Sequence, residues 1–143
     1  MKQVQIKFDK FITGFVVKTN NHDEICYKNA QIPKLWKKFF DSKLVEISDI
    51  YYGVYYNYAD RDFGDYDILV GVNLTNLDDK FDNVLIENGK YLCFEANGES
   101  AKITPMLWQE IWTFFQDCSF KRAYKTDFEK HSKNKVEVYI SIL

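Results

Sequence analysis

The sequence has little of what marks secreted, membrane-spanning or disordered chains. Its 143 residues include only three cysteines, Cys26, Cys93 and Cys118, an odd and widely spaced set that fits reduced thiols better than a disulfide framework. No apolar run approaches membrane-spanning length, and residues 1–8 alternate polar and apolar side chains, unlike a signal peptide. No long polar tract indicates disorder. These absences predict a reduced, cytoplasmic protein without a membrane contact.

An excess of charge of one sign is also missing. The chain carries 19 basic and 21 acidic side chains, which are interspersed and give a formal net charge of −2. A nucleic-acid-binding protein usually presents a basic face. Here the only local cluster is Lys34, Lys37 and Lys38, which a solvated helix face explains. We therefore expect no direct contact with nucleic acid and, without a helix-turn-helix segment, a free-standing domain.

Aromatic residues, by contrast, are abundant. They make up 17% of the chain, with ten Tyr, twelve Phe and three Trp, within a hydrophobic fraction of 46%. That fraction is enough for the core of one domain. A core of this size uses only part of the rings, so we expect some of them to line a surface or a groove. A core that is merely rich in aromatic residues is the alternative, and composition leaves both open.

Proline is scarce, and its two positions reveal an internal repeat. The motif PKLW begins at Pro33 and the similar motif PMLW begins at Pro105, about half the chain apart. Both motifs predict helices, because proline suits the first turn of a helix, where its missing N–H is not needed. Thr104 is placed to cap the second helix. Self-similarity at a fixed offset indicates a duplicated unit.

Strand patterns flank both helices in the same order. We predict an α+β fold of tandem strand-helix-strand-strand modules, with an antiparallel sheet and two main helices around a central groove. The whole chain, 1–143, is then one domain with pseudo-twofold halves of about 1–76 and 77–143. Further strands are expected near 4–8 and 83–86. The paired strands of the two modules are 12–18 and 90–95, 50–58 and 122–130, and 66–72 and 136–142.

Alternation in the strands assigns side chains to faces. In the last strand the β-branched residues at 136, 138, 140 and 142 share one face, which we expect to meet the helices. Glu137 and Tyr139 lie on the other face, and we expect this face to converge on a central cleft with Tyr55, Asn57 and Glu129. Burial raises the pKa of a carboxyl group unless a cation compensates. Two exposed glutamates with no ligand are the alternative, which spacing leaves open.

Several short motifs follow one another along the chain. The first two are YGVY and YDILVGV, at 52–55 and 66–72, and the others are VLIENGKYLCFE at 84–95, LW and IW within 107–112, DFE at 127–129, and VEVYI at 136–140. These motifs resemble the GyrI-like family, the effector-binding domains attached to some AraC-type and MerR-type transcription regulators, and the first two are similar to the central strands of that family. The resemblance covers most of the chain, and the order and spacing of the motifs carry it.

This resemblance implies a central groove for drug-like ligands, often cationic and lipophilic. Glu129 matches the acidic residue at the base of the pocket in multidrug-sensing members, and Glu137 and Tyr139 match a second contributing pair. The chain departs from the family at His131, where an aromatic residue is common, and at Ser141, where a proline is frequent. The resemblance also implies a sensor in a transcription-regulator system, which requires a partner protein.

The leading hypothesis is therefore a small-molecule binding module rather than an enzyme. For Trp108 a core position is the alternative, because Leu-Trp pairs at helix starts usually pack. We expect no cofactor and no metal, since His22, His131 and the cysteines lack metal-ligand spacing. A partner protein or a homodimer remains open. The predicted ligand-binding residues are Glu129, Glu137, Tyr139, Tyr55, Asn57 and Trp108.

Two alternative functions remain. Some relatives in the superfamily resemble hydrolases of strained, cyclopropane-bearing compounds, and Glu129 and Glu137 are candidates for such an acid–base pair. Neither histidine indicates a catalytic triad, and no G-x-S-x-G motif occurs. The other alternative is protein–protein inhibition, as in the gyrase-inhibitor branch, which requires an exposed acidic surface. Two acidic stretches, at 60–67 and 78–82, are candidates for that surface.

Overall fold

A computed structural model describes residues 1–7, 10–26, 28–76 and 78–143. The strands are β1 (Lys2–Ile6), β2 (Lys10–Thr19), β3 (Tyr51–Tyr56), β4 (Tyr66–Asn73), β5 (Asp82–Ile86), β6 (Gly89–Asn97), β7 (Asp127–Ser132) and β8 (Lys135–Ile142). The helices are α1 (Asn21–Ile25), α2 (Ile32–Phe40) and α3 (Ser100–Gln116), with a short 3-10 helix at Lys43–Glu46. No helix in these ranges has the length and apolar character of a membrane span.

The strands form one eight-stranded antiparallel sheet whose order is symmetrical about its centre. The order is β1-β6-β8-β7-β3-β4-β2-β5, so that β6-β8-β7 mirrors β2-β4-β3 across the β7–β3 pair. The predicted α+β fold of duplicated strand-helix-strand-strand modules is confirmed. The division into halves at 76 and 77 stays a prediction, and Leu77 lies outside the described residues. So does Phe8, the last residue of the predicted strand 4–8.

The edge strands interlock the two modules. Strand β1 precedes the first module in sequence but pairs with β6 of the second. Strand β5 precedes the second module but pairs with β2 of the first. Each module therefore completes the sheet of the other, which favours folding of the chain as one unit.

Helices α2 and α3 lie on the same face of the sheet, each over its own module. Leu35 and Phe39 of α2 pack with the alternate residues of β4, including Ile68 and Val70. Leu107 and Ile111 of α3 pack with Val136, Val138, Ile140 and Ile142 of β8. Each such buried side chain contributes about 1.5–3 kcal/mol relative to its exposed state. The two clusters hold the helices apart, and the central strands β3 and β7 form a floor between them.

The opposite face of the sheet is buried by strand side chains and Ile50. Tyr52 and Val54 of β3 and Phe128 of β7 join one cluster with residues of the edge strands β1 and β5. Because side chains of central and edge strands share this cluster, the sheet curves around it. The groove must therefore lie on the helix-bearing face.

The start of α3 corrects one sequence-based prediction. The helix begins at Ser100, so Pro105 lies inside it and Thr104 is not its N-cap. The side-chain oxygen of Thr104 is instead buried without a hydrogen-bond partner. Proline removes one helical N–H and crowds the preceding turn, and Ile103, which lies in that turn, packs against the α3 core cluster. In α2 the expected arrangement holds, with Pro33 in the first turn.

A pair of facing glycines, Gly14 and Gly71, provides a test of this sheet. A Cβ atom on Gly71 would lie 1.9 Å from the carbonyl oxygen of Thr13, and one on Gly14 would lie 1.9 Å from that of Val70. We expect Gly71→Ala to lower the free energy of unfolding by about 1–3 kcal/mol, because the paired backbones must separate. Denaturant titration measures this change.

Gly53→Ala is the control for this prediction. Its new Cβ would meet its nearest atoms at 3.4 Å, and alanine suits a strand better than glycine, so we expect a change of less than about 1 kcal/mol. Equal stabilities for the Gly71 variant and the wild type would contradict the close approach of β2 and β4.

Candidate functional site

A groove runs between the N-terminal halves of α2 and α3, over the central strands. It contains two cavities, of about 460 Å³ and about 860 Å³, which share Trp36 and Glu129 on their walls. Pro33 and Pro105, the repeated prolines, line both of them. We call the smaller one the aromatic cavity and the larger one the His131 cavity, because only the larger is lined by His131. The duplicated helix starts thus form the two walls of one groove.

The aromatic cavity has walls of rings. Tyr55 belongs to its wall, with its ring centroid 5.2 Å from that of Trp108 and 5.6 Å from that of Tyr66. All three tryptophans of the chain line it, so part of the aromatic excess serves this groove and part serves the core. The aromatic side chains of the cavity are Trp36, Tyr55, Tyr58, Tyr66, Trp108 and Trp112.

Glu129 lies at the base of the groove and is only 2% exposed. Its Oε2 accepts hydrogen bonds from the Tyr55 hydroxyl at 2.8 Å and from Trp108 Nε1 at 2.7 Å. Its Oε1 lies 2.8 Å from His131 Nε2. Donors from β3, β7 and α3 therefore converge on one carboxyl group.

The three donors keep this buried carboxyl group ionised. Burial by itself raises the pKa of Glu129, but the hydrogen bond from His131, the charge of that ring when it is protonated, and the hydrogen bonds from Trp108 and Tyr55 outweigh it. The pKa of Glu129 is therefore lowered from its usual 4.5. Burial thus acts on this carboxyl group in the direction expected from the sequence, and donors of the protein itself supply the compensation.

The tyrosines around Glu129 remain neutral donors. Burial, together with the negative charge of Glu129, raises the pKa of Tyr55 well above its ordinary value. Burial and the charges of Glu24 and Glu129 likewise raise the pKa of Tyr66. The neutral Tyr55 hydroxyl therefore donates to the Glu129 carboxylate, and the Tyr66 hydroxyl donates to Asn21.

Helix α2 is positioned at the groove by Glu24. Its carboxylate accepts the backbone N–H of Gln31 at 2.8 Å and that of Ile32 at 3.0 Å, and so satisfies free donors at the helix start. Glu24 also lines the aromatic cavity. The first turn of α2, with Trp36 one turn further on, is thereby fixed over the floor.

An ion pair closes the far end of the aromatic cavity. Arg122 lies 2.7 Å from the fully buried Asp127 and 2.6 Å from Asp62. Burial alone would lower the pKa of Arg122, but Asp127, Tyr58 and Asp62 raise it overall. The hydroxyl of Tyr58 donates to Asp127 as well. Arg122 and Tyr58 thus compensate the charge of Asp127 within the protein. Glu129 is the carboxylate on the wall that the two cavities share.

The structure brings together three of the six predicted binding residues. Glu129, Tyr55 and Trp108 meet at the groove base. Trp108 also packs against the core clusters of both helices, so its predicted groove position and the alternative core position each hold in part. Asn57 lies beyond β3 in a left-handed conformation, is exposed and donates to Asp67 at 2.8 Å. It does not join the groove.

The predicted position of Glu137 and Tyr139 in the cleft is wrong. Glu129 pairs directly with Val138 in the β7–β8 ladder, so Glu129 shares the face of the β-branched residues. Glu137 and Tyr139 point to the opposite face, where the Tyr139 hydroxyl donates to Glu137 at 2.6 Å and its ring stacks on Phe128. The face assignment within β8 was right, but the cleft lies on the other side of the sheet.

Sequence reasoning missed His131 and Trp36 as groove residues. His131 stood out only as a departure from the family pattern, although its place two residues after Glu129 puts both on one strand face. The ring of Trp36 lies 5.0 Å from the His131 ring and lines both cavities. The repeat held the signal for Trp36, since it occupies the position that Trp108 has in the second module.

Solved structures resemble the chain over nearly its whole length. The integron cassette protein VCH_CASS2 from the mobile metagenome of Vibrio cholerae is 34% identical, with a TM-score of 0.90 over 99% of this chain and 95% of that one. SAV2435, solved with tetraphenylphosphonium bound, is 18% identical, with a TM-score of 0.66 over 99% and 93%. A putative transcription regulation protein from Staphylococcus aureus MU50 is 17% identical, with a TM-score of 0.66 over 99% and 96%.

A search of curated proteins finds no match. The model of one protein family, described as Cass2, integron-associated effector binding protein, matches residues 7–142. This match spans both modules, both helices and the whole groove. The chain therefore belongs to the Cass2 family of integron-associated effector binding proteins.

Proposed function

We propose that the protein binds lipophilic organic cations in the aromatic cavity, with the ionised Glu129 as the counter-charge. The observation that carries this proposal is a buried carboxylate at the base of a cavity whose walls are tryptophan and tyrosine rings. The effector-binding family of the chain supports a small-molecule ligand. The electrostatics of the cavity support a cationic one.

Two physical effects favour a cation over a neutral ligand of the same shape. Each ring face that a cation contacts contributes about 0.5–2 kcal/mol. A carboxylate with little access to water also interacts more strongly with a cation than an exposed one does. SAV2435, which shares the fold, is solved with such a cation. That ligand is therefore the natural first probe for this chain.

The proposal extends to regulation. A domain that binds an effector controls transcription only through a DNA-binding partner, and a neighbour of the same fold is described as a putative transcription regulation protein. The resemblance to the GyrI-like family supports the same role. The chain is in this proposal the sensor of a regulator system, and the partner is a protein that contacts DNA.

The alternative function, hydrolysis of strained rings, requires Glu129 and Glu137 to act together on one substrate. Glu129 and Glu137 lie on opposite faces of the sheet and so cannot act on one substrate. The alternative of protein–protein inhibition stays a prediction. Several residues of its first acidic stretch already have partners within the chain, since Asp62 pairs with Arg122, Asp65 with Asn20 and Asp67 with Lys18.

Titration with tetraphenylphosphonium, followed by tryptophan fluorescence, tests the proposed function. All three tryptophans line the cavity, so we expect saturable quenching with the wild type. Glu129→Gln removes the counter-charge at nearly constant volume. We expect it to raise the dissociation constant at least about tenfold, which corresponds to about 1.4 kcal/mol.

The matched control is Glu137→Gln, which removes the same charge from the opposite face. Its dissociation constant should stay close to that of the wild type. Equal weakening by both variants would show that the net charge of the protein, rather than the groove, attracts the cation. Unchanged binding in Glu129→Gln would overturn the proposal.

The lowered pKa of Glu129 predicts how the stability of the fold changes with pH. Because the folded-state pKa is lowered, the ionised group stabilises the fold above the ordinary glutamate pKa of 4.5, and this contribution is lost as the pH falls through the folded value. Urea titrations of the wild type and Glu129→Gln at pH 7 and at pH 4 measure it. We expect the stability advantage of the wild type to shrink at the lower pH. An advantage that grows on acidification would contradict the ionised state.

A further inference from the structure

Ser100 and His131 line the His131 cavity, take no part in the proposed cation binding, and form a hydrogen-bonded chain with Glu129. Ser100 Oγ lies 3.2 Å from His131 Nδ1, and His131 Nε2 lies 2.8 Å from Glu129 Oε1. All three residues line the same cavity. A nucleophile within reach of a base, which is in turn oriented by a third group, is the arrangement of an activated serine. Nothing in the sequence indicated a triad at His131, because Ser100, His131 and Glu129 meet only in the fold.

The charge of Glu129 fixes which nitrogen of neutral His131 carries the proton. An ionised carboxylate only accepts hydrogen bonds, so Nε2 must be the donor. Neutral His131 then has its lone pair on Nδ1, directed at Ser100, and the Ser100 hydroxyl donates to it. The hydroxyl group is thus placed to lose its proton to His131, while Glu129 stabilises the imidazolium that would form.

Ser100 lies at the turn between a strand and a helix. Strand β6 ends at Asn97 and α3 begins at Ser100, and between them Gly98 has a φ of 138°, which few other residues adopt. The N–H of Gly98 donates to the carbonyl oxygen of Asn134 at 2.8 Å. Asn134 belongs to the turn between β7 and β8, so this bond fixes the serine turn to the hairpin that carries His131.

The start of α3 offers donors for a developing oxyanion. The first N–H groups of a helix have no partner within it, and the positive end of the helix dipole lies there. Ala101, which follows Ser100, lines the cavity. The N–H of the residue after a serine nucleophile supplies the oxyanion donor in other strand-to-helix turns. Gly98, Glu99 and Ser100 also match the first half of the G-x-S-x-G pattern, although Lys102 stands at its second glycine.

The cavity itself defines the class of substrate. Its volume is about 860 Å³, and its walls include Ile32, Pro33, Phe40 and Tyr51. Such walls suit an uncharged, lipophilic acyl group. Ser100, Ala101 and His131 line this same space.

We propose that the protein hydrolyses lipophilic carboxylic esters, with Ser100 as nucleophile and His131 as general base in the cavity above Glu129. Ser100 Oγ bonds to the carbonyl carbon as its proton passes to His131 Nδ1, and the carbonyl π electrons move to the oxygen. Collapse of this intermediate breaks the ester C–O bond, and the leaving alkoxide takes the proton from His131. Water then attacks the acyl-serine by the same route, which releases the acid and restores the Ser100 hydroxyl.

Covalent labelling is the most direct test, because it reports the nucleophile without depending on turnover. The full-length protein is treated with an alkyl fluorophosphonate, and the modified residue is located by peptide mass spectrometry. We expect one adduct, on Ser100, in the wild type. Ser100→Ala and His131→Asn should prevent it, whereas Ser132→Ala removes a neighbouring hydroxyl outside the three-residue chain and should label like the wild type. No adduct, or equal labelling in Ser100→Ala, would overturn the proposal.

Ester turnover gives a second measurement. With p-nitrophenyl butyrate, Ser100→Ala and His131→Asn should each lower the rate at least about 100-fold, the range of general-base catalysis. For Glu129, a positioning residue, we expect Glu129→Gln to lower kcat at least about tenfold with KM little changed. Wild-type binding of tetraphenylphosphonium by Ser100→Ala would show that this variant is folded. Hydrolysis that survives unchanged in Ser100→Ala would contradict the assigned nucleophile.

Discussion

The groove depends on one buried carboxylate that the protein itself keeps charged. Glu129 costs free energy to bury, and that cost is offset only because Tyr55, Trp108 and His131 converge on its two oxygens. These donors come from β3, α3 and β7, so the charge also holds elements of both modules together. A carboxylate without these donors would keep the full cost of its burial.

Duplication explains why such a site exists at all. Two modules that meet at the β7–β3 pair place their helices on one face and leave the central strands uncovered between them. The exchanged edge strands β1 and β5 prevent the modules from separating. Pro33 and Pro105, with the tryptophans that follow them, then form equivalent walls. The floor is asymmetric, since Gly53 lies opposite Glu129, and His131 lines only the larger of the two cavities.

The sequence predicted the duplication, the order of helices and strands along the chain, and the groove position of Glu129, Tyr55 and Trp108, because each of these depends on the repeat, on strand alternation or on the family resemblance. It failed for Glu137 and Tyr139, since alternation gives the two faces of a strand but only pairing with β7 shows which face bears the cleft. It failed at Thr104 because tertiary packing extends α3 past the point where a proline favours a helix start. The hydrogen bond between Ser100 and His131 joins residues that are far apart in the sequence and meet only in the folded protein.

The charge of Glu129 in the ligand-free protein is the claim on which both the cation site and the orientation of His131 depend. A pH titration of its side-chain carboxyl carbon by NMR, with Glu129→Gln to assign the signal, measures that charge directly. The structure predicts a midpoint below the ordinary glutamate value of 4.5 and an ionised group at neutral pH. A carboxyl group that stays protonated up to neutral pH would contradict the account.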